Sequence, residues 1–184
     1  MRVDADFEPI VTRRLRLRRS HPEDADTISD YRSRPEVRRY QGWDRTDADG
    51  IRTELEAMAG RAPGEPGGWV QLSVEQLDDG RLIGDVGFSP ADEPGVIKVG
   101  YTMAPEVQGR GYATEAMRAL VAYIFETLGA EIVRAYASAE NAPSIRVAEK
   151  IGMRLMEKSR HHHRGESFWV VRYEVTREAF AGLP

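Results

Sequence analysis

The residues most able to do chemistry lie in one short stretch, Gln108-Gly109-Arg110-Gly111-Tyr112-Ala113-Thr114, between a β-like run at 96–103 and an amphipathic helical pattern at 113–128. A glycine-rich turn that feeds a helix N-terminus is an anion site. Two glycines let the backbone approach a ligand closely, and the first helical N–H groups lack intrahelical partners, so they can point at a phosphate with the helix dipole assisting. A second polar group opens a later helical segment: Asn141, whose amide offers both donor and acceptor, and Ser144 three residues on. Either could instead serve only to cap or pack that helix start.

The elements that must position these groups follow from periodicity. Residues 11–18 alternate loosely enough for a strand with one wet face. Ser20 and Glu23 have the spacing of a capping box, with Pro22 in the first turn, and a helix over 21–32 follows. A second helix over 46–59 carries Ile51, Leu55 and Met58 on one face. Residues 60–68 are rich in glycine and proline and read as a surface loop within one domain. Val70, Leu72 and Val74 alternate with polar residues, and Asp78-Asp79-Gly80 turns the chain into 82–88. Asp92-Glu93-Pro94-Gly95 turns it again into 96–103, giving three consecutive antiparallel strands. The helix over 113–128 ends at Gly129, where a left-handed cap is expected. Because that helix separates 132–137 from 96–103, those two strands are expected to lie parallel. A helix over 142–150 with Gly152 beyond its end, and closing strands at 155–159 and 168–175, complete an α+β reading with about seven strands and no internal repeat.

Composition narrows the function classes. The 184 residues suit a single domain spanning 1–184, with 41% hydrophobic residues for its core. A net charge of −4 provides no global basic field, which argues against a sequence-independent nucleic-acid binder. The absence of cysteine removes both a disulfide framework and a thiol nucleophile. No run approaches bilayer-spanning length and the first residues lack an apolar signal core, so no membrane partner and a cytoplasmic location are expected.

Gln108, Gly111 and Ala113 fit the Gln/Arg-x-x-Gly-x-Gly/Ala motif, and the chain here resembles the GNAT family of acyl-CoA-dependent N-acyltransferases. Gly100-Tyr101, Thr114-Glu115-Ala116, Glu140-Asn141-Ala142-Pro143-Ser144 and Glu149-Lys150-Ile151-Gly152-Met153 carry the likeness further, toward the RimJ/RimL-like branch. Thr12-Arg13-Arg14-Leu15-Arg16-Leu17-Arg18, Pro22-Glu23-Asp24-Ala25 and Arg34-Pro35-Glu36-Val37 also resemble that branch, so nearly the whole chain takes part. The resemblance implies a mixed, mostly antiparallel sheet with helices on both faces and a splayed parallel pair that binds acetyl-CoA. It implies direct acetyl transfer to a primary amine without metal or covalent enzyme intermediate, by a monomer or homodimer.

On that likeness, backbone N–H groups of Gly109, Gly111, Tyr112, Ala113 and Thr114 cradle the pyrophosphate, with Gln108 and Arg110 beside them. Tyr101, Thr102 and Met103 form the edge along which pantetheine pairs, although Tyr101 could equally be a packing residue. The Met103 N–H is the candidate for polarising the thioester carbonyl. The tyrosine that many family members use as acid falls here at Ala148, and Ser144 matches the serine of the RimL-like branch. Asn141 is expected to bind pantetheine. Lys98 stands where related chains carry a carboxylate, so the general base stays open among Glu75, Asp85, Glu106, Glu166 and a water relay. His161-His162-His163, flanked by Arg160 and Arg164, would point alternately to opposite faces if extended, which disfavours a metal. A polar hairpin bordering the acceptor entrance is the better reading, and the helices at 21–32 and 46–59 are expected to border the same entrance. Two other readings stay in view: a catalytically silent acyl-CoA sensor, and an acetyltransferase of small-molecule amines such as aminoglycosides or polyamines. A Rossmann site is disfavoured because Thr114 replaces the third glycine and antiparallel strands precede the motif.

Overall fold

In a computed structural model, which describes residues 1–42, 46–163 and 166–183, eight strands form one sheet. They are β1 (Ile10–Val11), β2 (Leu15–Arg19), β3 (Val70–Gln76), β4 (Leu82–Pro90), β5 (Val96–Met103), β6 (Ile132–Ser138), β7 (Arg154–His163) and β8 (Glu166–Thr176). Their order is β1-β2-β3-β4-β5-β6-β8-β7, antiparallel throughout except between β5 and β6. The parallel pair and the three-strand meander are as expected, and the eighth strand is new. It arises because residues 11–18 are not one strand: the Thr12 N–H donates to the Leu15 carbonyl at 2.8 Å, folding the segment into a tight hairpin of β1 on β2.

Helices cover both faces. Val70, Leu72 and Val74 of β3 join Met117, Leu120, Val121 and Ile124 of α4 (Tyr112–Tyr123) in the main core. Gln71 and Ser73 point the other way, toward α1 (Ala25–Ser33) and α3 (Ala48–Met58), whose Ile28, Tyr31, Ile51 and Leu55 form a second cluster. An isolated helix shorter than about 12–15 residues is marginal in water, so the eleven residues of α3 depend on this cluster. Burial of Ile51 and Leu55 supplies about 1.5–3 kcal/mol each. Beyond α4 the chain winds through a π-helical turn, Ile124–Leu128, and stops at Gly129 in the left-handed conformation, φ +73°.

Three sequence expectations are corrected. The helix expected from residue 21 begins as a 3₁₀ turn, Pro22–Asp24, and its box is shifted by one residue: Asp24, not Glu23, accepts the His21 N–H at 2.9 Å. Ser20 instead shares a 2.8 Å hydrogen bond with Ser73. The shift is fixed by Arg18, which holds Asp24 with two nitrogens and reaches Glu75 at 2.7 Å. A short helix, α2 (Pro35–Arg38), follows α1 where no helix was expected. The closing strands are longer than their patterns suggest, and the histidines lie inside β7 rather than between strands. His161 stands opposite Phe168 and His162 opposite Ser167. Arg164 lies outside the described residues. The last helices are α5 (Ala142–Lys150) and α6 (Arg177–Ala181).

The Asp24 cluster makes stability depend on pH. Burial pushes the Asp24 carboxyl up, but hydrogen bonds from Arg18, the His21 N–H and Ser73 outweigh it and hold the group below its ordinary value. A carboxyl depressed in the folded state contributes fully above its unfolded value of about 3.9, and the contribution is lost as pH falls through the folded value. The urea midpoint should therefore decline below about pH 4, and Asp24→Asn should lower stability near pH 7 while flattening that decline. Urea titrations across this range check it; an acid limb equally steep in Asp24→Asn would contradict the assignment.

Candidate active site

The site begins where the parallel pair fails. Strands β5 and β6 pair only as far as Val99 and Ala135, although they run on to Met103 and Ser138. On its other side β5 stays paired with β4 through Gly84 and Met103, and the Ala104 N–H donates to the Ile83 carbonyl at 2.9 Å. Backbone groups alternate in direction along a strand, so the N–H groups of Tyr101 and Met103 face the gap. The Met103 carbonyl is occupied there by the Gln108 amide nitrogen at 3.0 Å. Gln108 thus ties the turn to the strand end, where a place beside the phosphates was expected.

A cavity of about 330 Å³ fills the gap. Tyr101, Thr102 and Met103 line it from β5, Gln108 and Gly109 from the turn, Gly111, Tyr112, Ala113 and Thr114 from the start of α4, and Asn141 and Ser144 from the start of α5. Every expected site residue is therefore brought together except Arg110, an exposed residue that does not line the cavity and whose carbonyl accepts from Arg14 at 3.1 Å. Gly109 and Gly111 have φ of +77° and +81°, a region that side chains disfavour. Among the described residues no backbone carbonyl accepts from the N–H groups of residues 109–114, and the first N–H to bond is that of Glu115, to the Gly111 carbonyl at 3.0 Å. A row of unpartnered N–H groups at a helix start beside a cavity fits a pyrophosphate.

At the other end, Asn141 caps α5: its Oδ1 accepts the Ser144 N–H at 3.2 Å, and its amide nitrogen has no partner among the described residues. Capping and ligand binding are thus compatible here. Burial pushes the Tyr101 phenol up, partly offset by the Ser144 hydroxyl beside it, so Tyr101 stays protonated at neutral pH. Both side chains also line a second cavity of about 90 Å³ that adjoins the first. Tyr40 and Gln41 line both cavities, and Tyr136, 49% exposed, lines the second. These three carried no sequence signal: Tyr40 and Gln41 follow an unforeseen short helix, and Tyr136 looked like any outward strand residue.

Three of the four carboxylates considered as base are engaged elsewhere. Glu75 is held by Arg18, Asp85 is buried against Arg32 at 3.0 Å and accepts the Tyr31 hydroxyl, and Glu106 pairs with Arg34 at 2.6 Å. The Glu166 side chain lies outside the described residues. None of the described residues lining the second cavity is charged, while Glu36 is the carboxylate on the first. Neither cavity draws a described lining residue from 21–32, from 46–59 or from 160–163, so the expected borders do not reach the site; Glu36, Val37, Tyr40 and Gln41, for which no role was expected, line it instead.

Residues 14–154 match the acetyltransferase (GNAT) domain family. The N-acetyltransferase p20 of Bacillus licheniformis is 28% identical over 180 residues, covering 96% of this chain and all of its own. An acetyltransferase of the GNAT family from Bacillus anthracis has a TM-score of 0.82 at 24% identity, over 93% of this chain and 99% of that one. RimL, a ribosomal L7/L12 alpha-N-protein acetyltransferase solved with coenzyme A, has a TM-score of 0.80 at 17% identity, over 94% and 99% of the two chains.

Coenzyme A at millimolar concentration should raise the melting temperature, since a ligand of the native state stabilises it by mass action. Gly111→Val should abolish the shift, because φ +81° is strained for a β-branched residue. Differential scanning fluorimetry with and without coenzyme A reads both; a wild-type protein without any shift would remove the cradle.

Proposed function

We propose that this chain, which belongs to the GNAT acetyltransferase family and is an acyl-CoA-dependent acetyltransferase, acts as a single catalytic domain on the α-amine of a protein or peptide N-terminus. The observation that carries the acceptor class is the uncharged lining of the second cavity, which shares Tyr101 and Ser144 with the first. A polyamine or aminoglycoside would arrive with several charges and find no carboxylate among those described residues. An α-amine with a pKa of about 7.7–8.0 is partly neutral near pH 7, whereas a lysine amine at about 10.4 needs a base to shed its proton. The likeness to RimL, whose substrate is a protein α-amine, points the same way.

Acetyl-CoA, when bound, supplies the acetyl group activated as a thioester. The chain's own groups then divide the work. The N–H groups of Gly109, Gly111, Tyr112, Ala113 and Thr114 would bind phosphate oxygens, and the free amide nitrogen of Asn141 would donate to the pantetheine arm. The Met103 N–H, directed into the gap, donates to the carbonyl oxygen where negative charge develops. As the C–N bond forms and the C–S bond breaks, the Ser144 hydroxyl donates a proton toward the departing sulfur, water takes the proton that the amine loses, and Ser144 recovers its proton from water. The Tyr101 phenol, protonated at neutral pH, lies beside the Ser144 hydroxyl.

Two measurements test this reading. Ser144→Ala should lower kcat by about tenfold or more with little change in acetyl-CoA affinity, and Asn141→Ala should weaken affinity first. Equal loss of affinity in both variants would return Ser144 to a binding role. In a thiol-release assay, short peptides with a free small N-terminal residue should be acetylated faster than the same peptides blocked at the N-terminus but carrying lysine. Turnover with only aminoglycosides or polyamines would sink the α-amine assignment, and coenzyme A binding without any turnover would favour a sensor.

A further inference from the structure

We propose that Arg14 and Glu115 are positioning residues for the acyl donor: together they rotate the Arg110–Gly111 peptide so that the Gly111 N–H is aimed into the phosphate cradle. The proposal rests on reading the glycine turn as the coenzyme A cradle. Arg14 lies at the entry to β2, 101 positions from Glu115 in the first turn of α4. Its Nε donates to Glu115 Oε2 at 2.6 Å, its Nη1 donates to the Arg110 carbonyl at 3.1 Å, and its guanidinium lies 4.3 Å from the centre of the Tyr112 ring. The other Glu115 oxygen accepts the Arg14 N–H at 2.9 Å and the Thr12 hydroxyl at 2.7 Å. The guanidinium is thus held by Glu115 and by the Tyr112 ring as well as by the turn carbonyl.

The geometry of the peptide bond carries the inference. No peptide bond in the described residues is cis, and in a trans peptide the carbonyl of one residue and the N–H of the next point in opposite directions. Drawing the Arg110 carbonyl toward Arg14, which is not among the residues lining the cavity, turns the Gly111 N–H toward the cavity that Gly111 does line. A turn with two glycines has little conformational preference of its own, so an external hold replaces what a side chain would otherwise enforce. Burial pushes the Glu115 carboxyl up, but the hydrogen bonds from Thr12 and Arg14 outweigh it, and the group stays ionised at neutral pH. The Arg14 charge is accordingly balanced by Glu115 before any phosphate arrives.

Two variants separate aiming from simple charge attraction. Glu115→Gln frees a positive charge beside the cradle, so attraction alone predicts tighter coenzyme A binding, whereas a lost hold predicts weaker binding. Arg14→Lys keeps the charge and loses the planar fork that spans Glu115 and the Arg110 carbonyl. By isothermal titration calorimetry each variant should bind coenzyme A about tenfold more weakly than wild type, the scale of one charge-assisted hydrogen bond. The loss in kcat/KM should also be several-fold larger with acetyl-CoA than with S-acetylpantetheine, which lacks the pyrophosphate. Unchanged or tighter binding in Glu115→Gln, unchanged binding in Arg14→Lys, or equal losses with both donors would overturn the proposal. Failure of wild type to bind coenzyme A would overturn the cradle and this proposal with it.

Discussion

Everything in the site depends on β5 and β6 parting after Val99 and Ala135. Had the pairing continued, the N–H groups of Tyr101 and Met103 would have been consumed by the sheet and the interior closed. Backbone polar groups held away from water without partners are costly, so a strand edge of this kind persists only when solvent or a ligand can satisfy it. Surrounding elements hold the gap open. On one side β5 stays anchored to β4 down to Met103, and on the other β6 keeps its antiparallel pairing with β8 as far as Ser138. The starts of α4 and α5 converge on the resulting cavity, which places two helix N-termini where an extended, anionic molecule can run between strands.

Charge networks do for the edges of the site what apolar packing does for its centre. Arg18 joins β2 to Asp24 and Glu75, and Glu115 joins α4 to the turn before β2. The buried Arg32–Asp85 pair, with the Tyr31 hydroxyl, fastens α1 to β4. Each network links segments distant in sequence and presents few free acids to the cavities. A pair buried like Arg32 and Asp85 is expensive to desolvate and adds little net stability against an apolar substitute, but removing one partner leaves an uncompensated buried charge. Its effect is to fix the position of α1, from which the chain reaches Tyr40 and Gln41 at the mouth of the site.

What the sequence disclosed divides along the same line. The glycine turn, α4 with its Gly129 stop, the parallel pair and the Asn141 cap are local signals: period, turn residues and cap residues lie within a few positions of one another. The contacts that were not legible are non-local. Nothing near Thr12 announces that Glu115 will fold residues 12–15 into a turn, and nothing near Asp24 announces Arg18 and Ser73 as competitors that shift the box from Ser20 and Glu23. Gln108 was recognised as part of the motif, but its destination, the Met103 carbonyl, required the splay itself to be known. The long β7–β8 pairing was hidden because histidine and arginine do not mark a strand by pattern.

The two halves of the reaction therefore rest on different kinds of chemistry. The proposed donor cradle consists of backbone N–H groups, whose direction follows from glycine conformation rather than from which side chain the turn carries. Arg110 can face solvent for that reason, while Gly111, at φ +81°, cannot be exchanged without strain. Acceptor binding has no such backbone frame. The acceptor site proposed above draws on side chains from separate segments, Tyr40 and Gln41 after α2 and Tyr136 on β6, which meet at the second cavity. A surface assembled in that way can change its preference through a few substitutions without disturbing the cradle. The donor is accordingly legible from a motif, whereas the proposed acceptor reading rests on the uncharged lining of a cavity that forms only when the chain is folded.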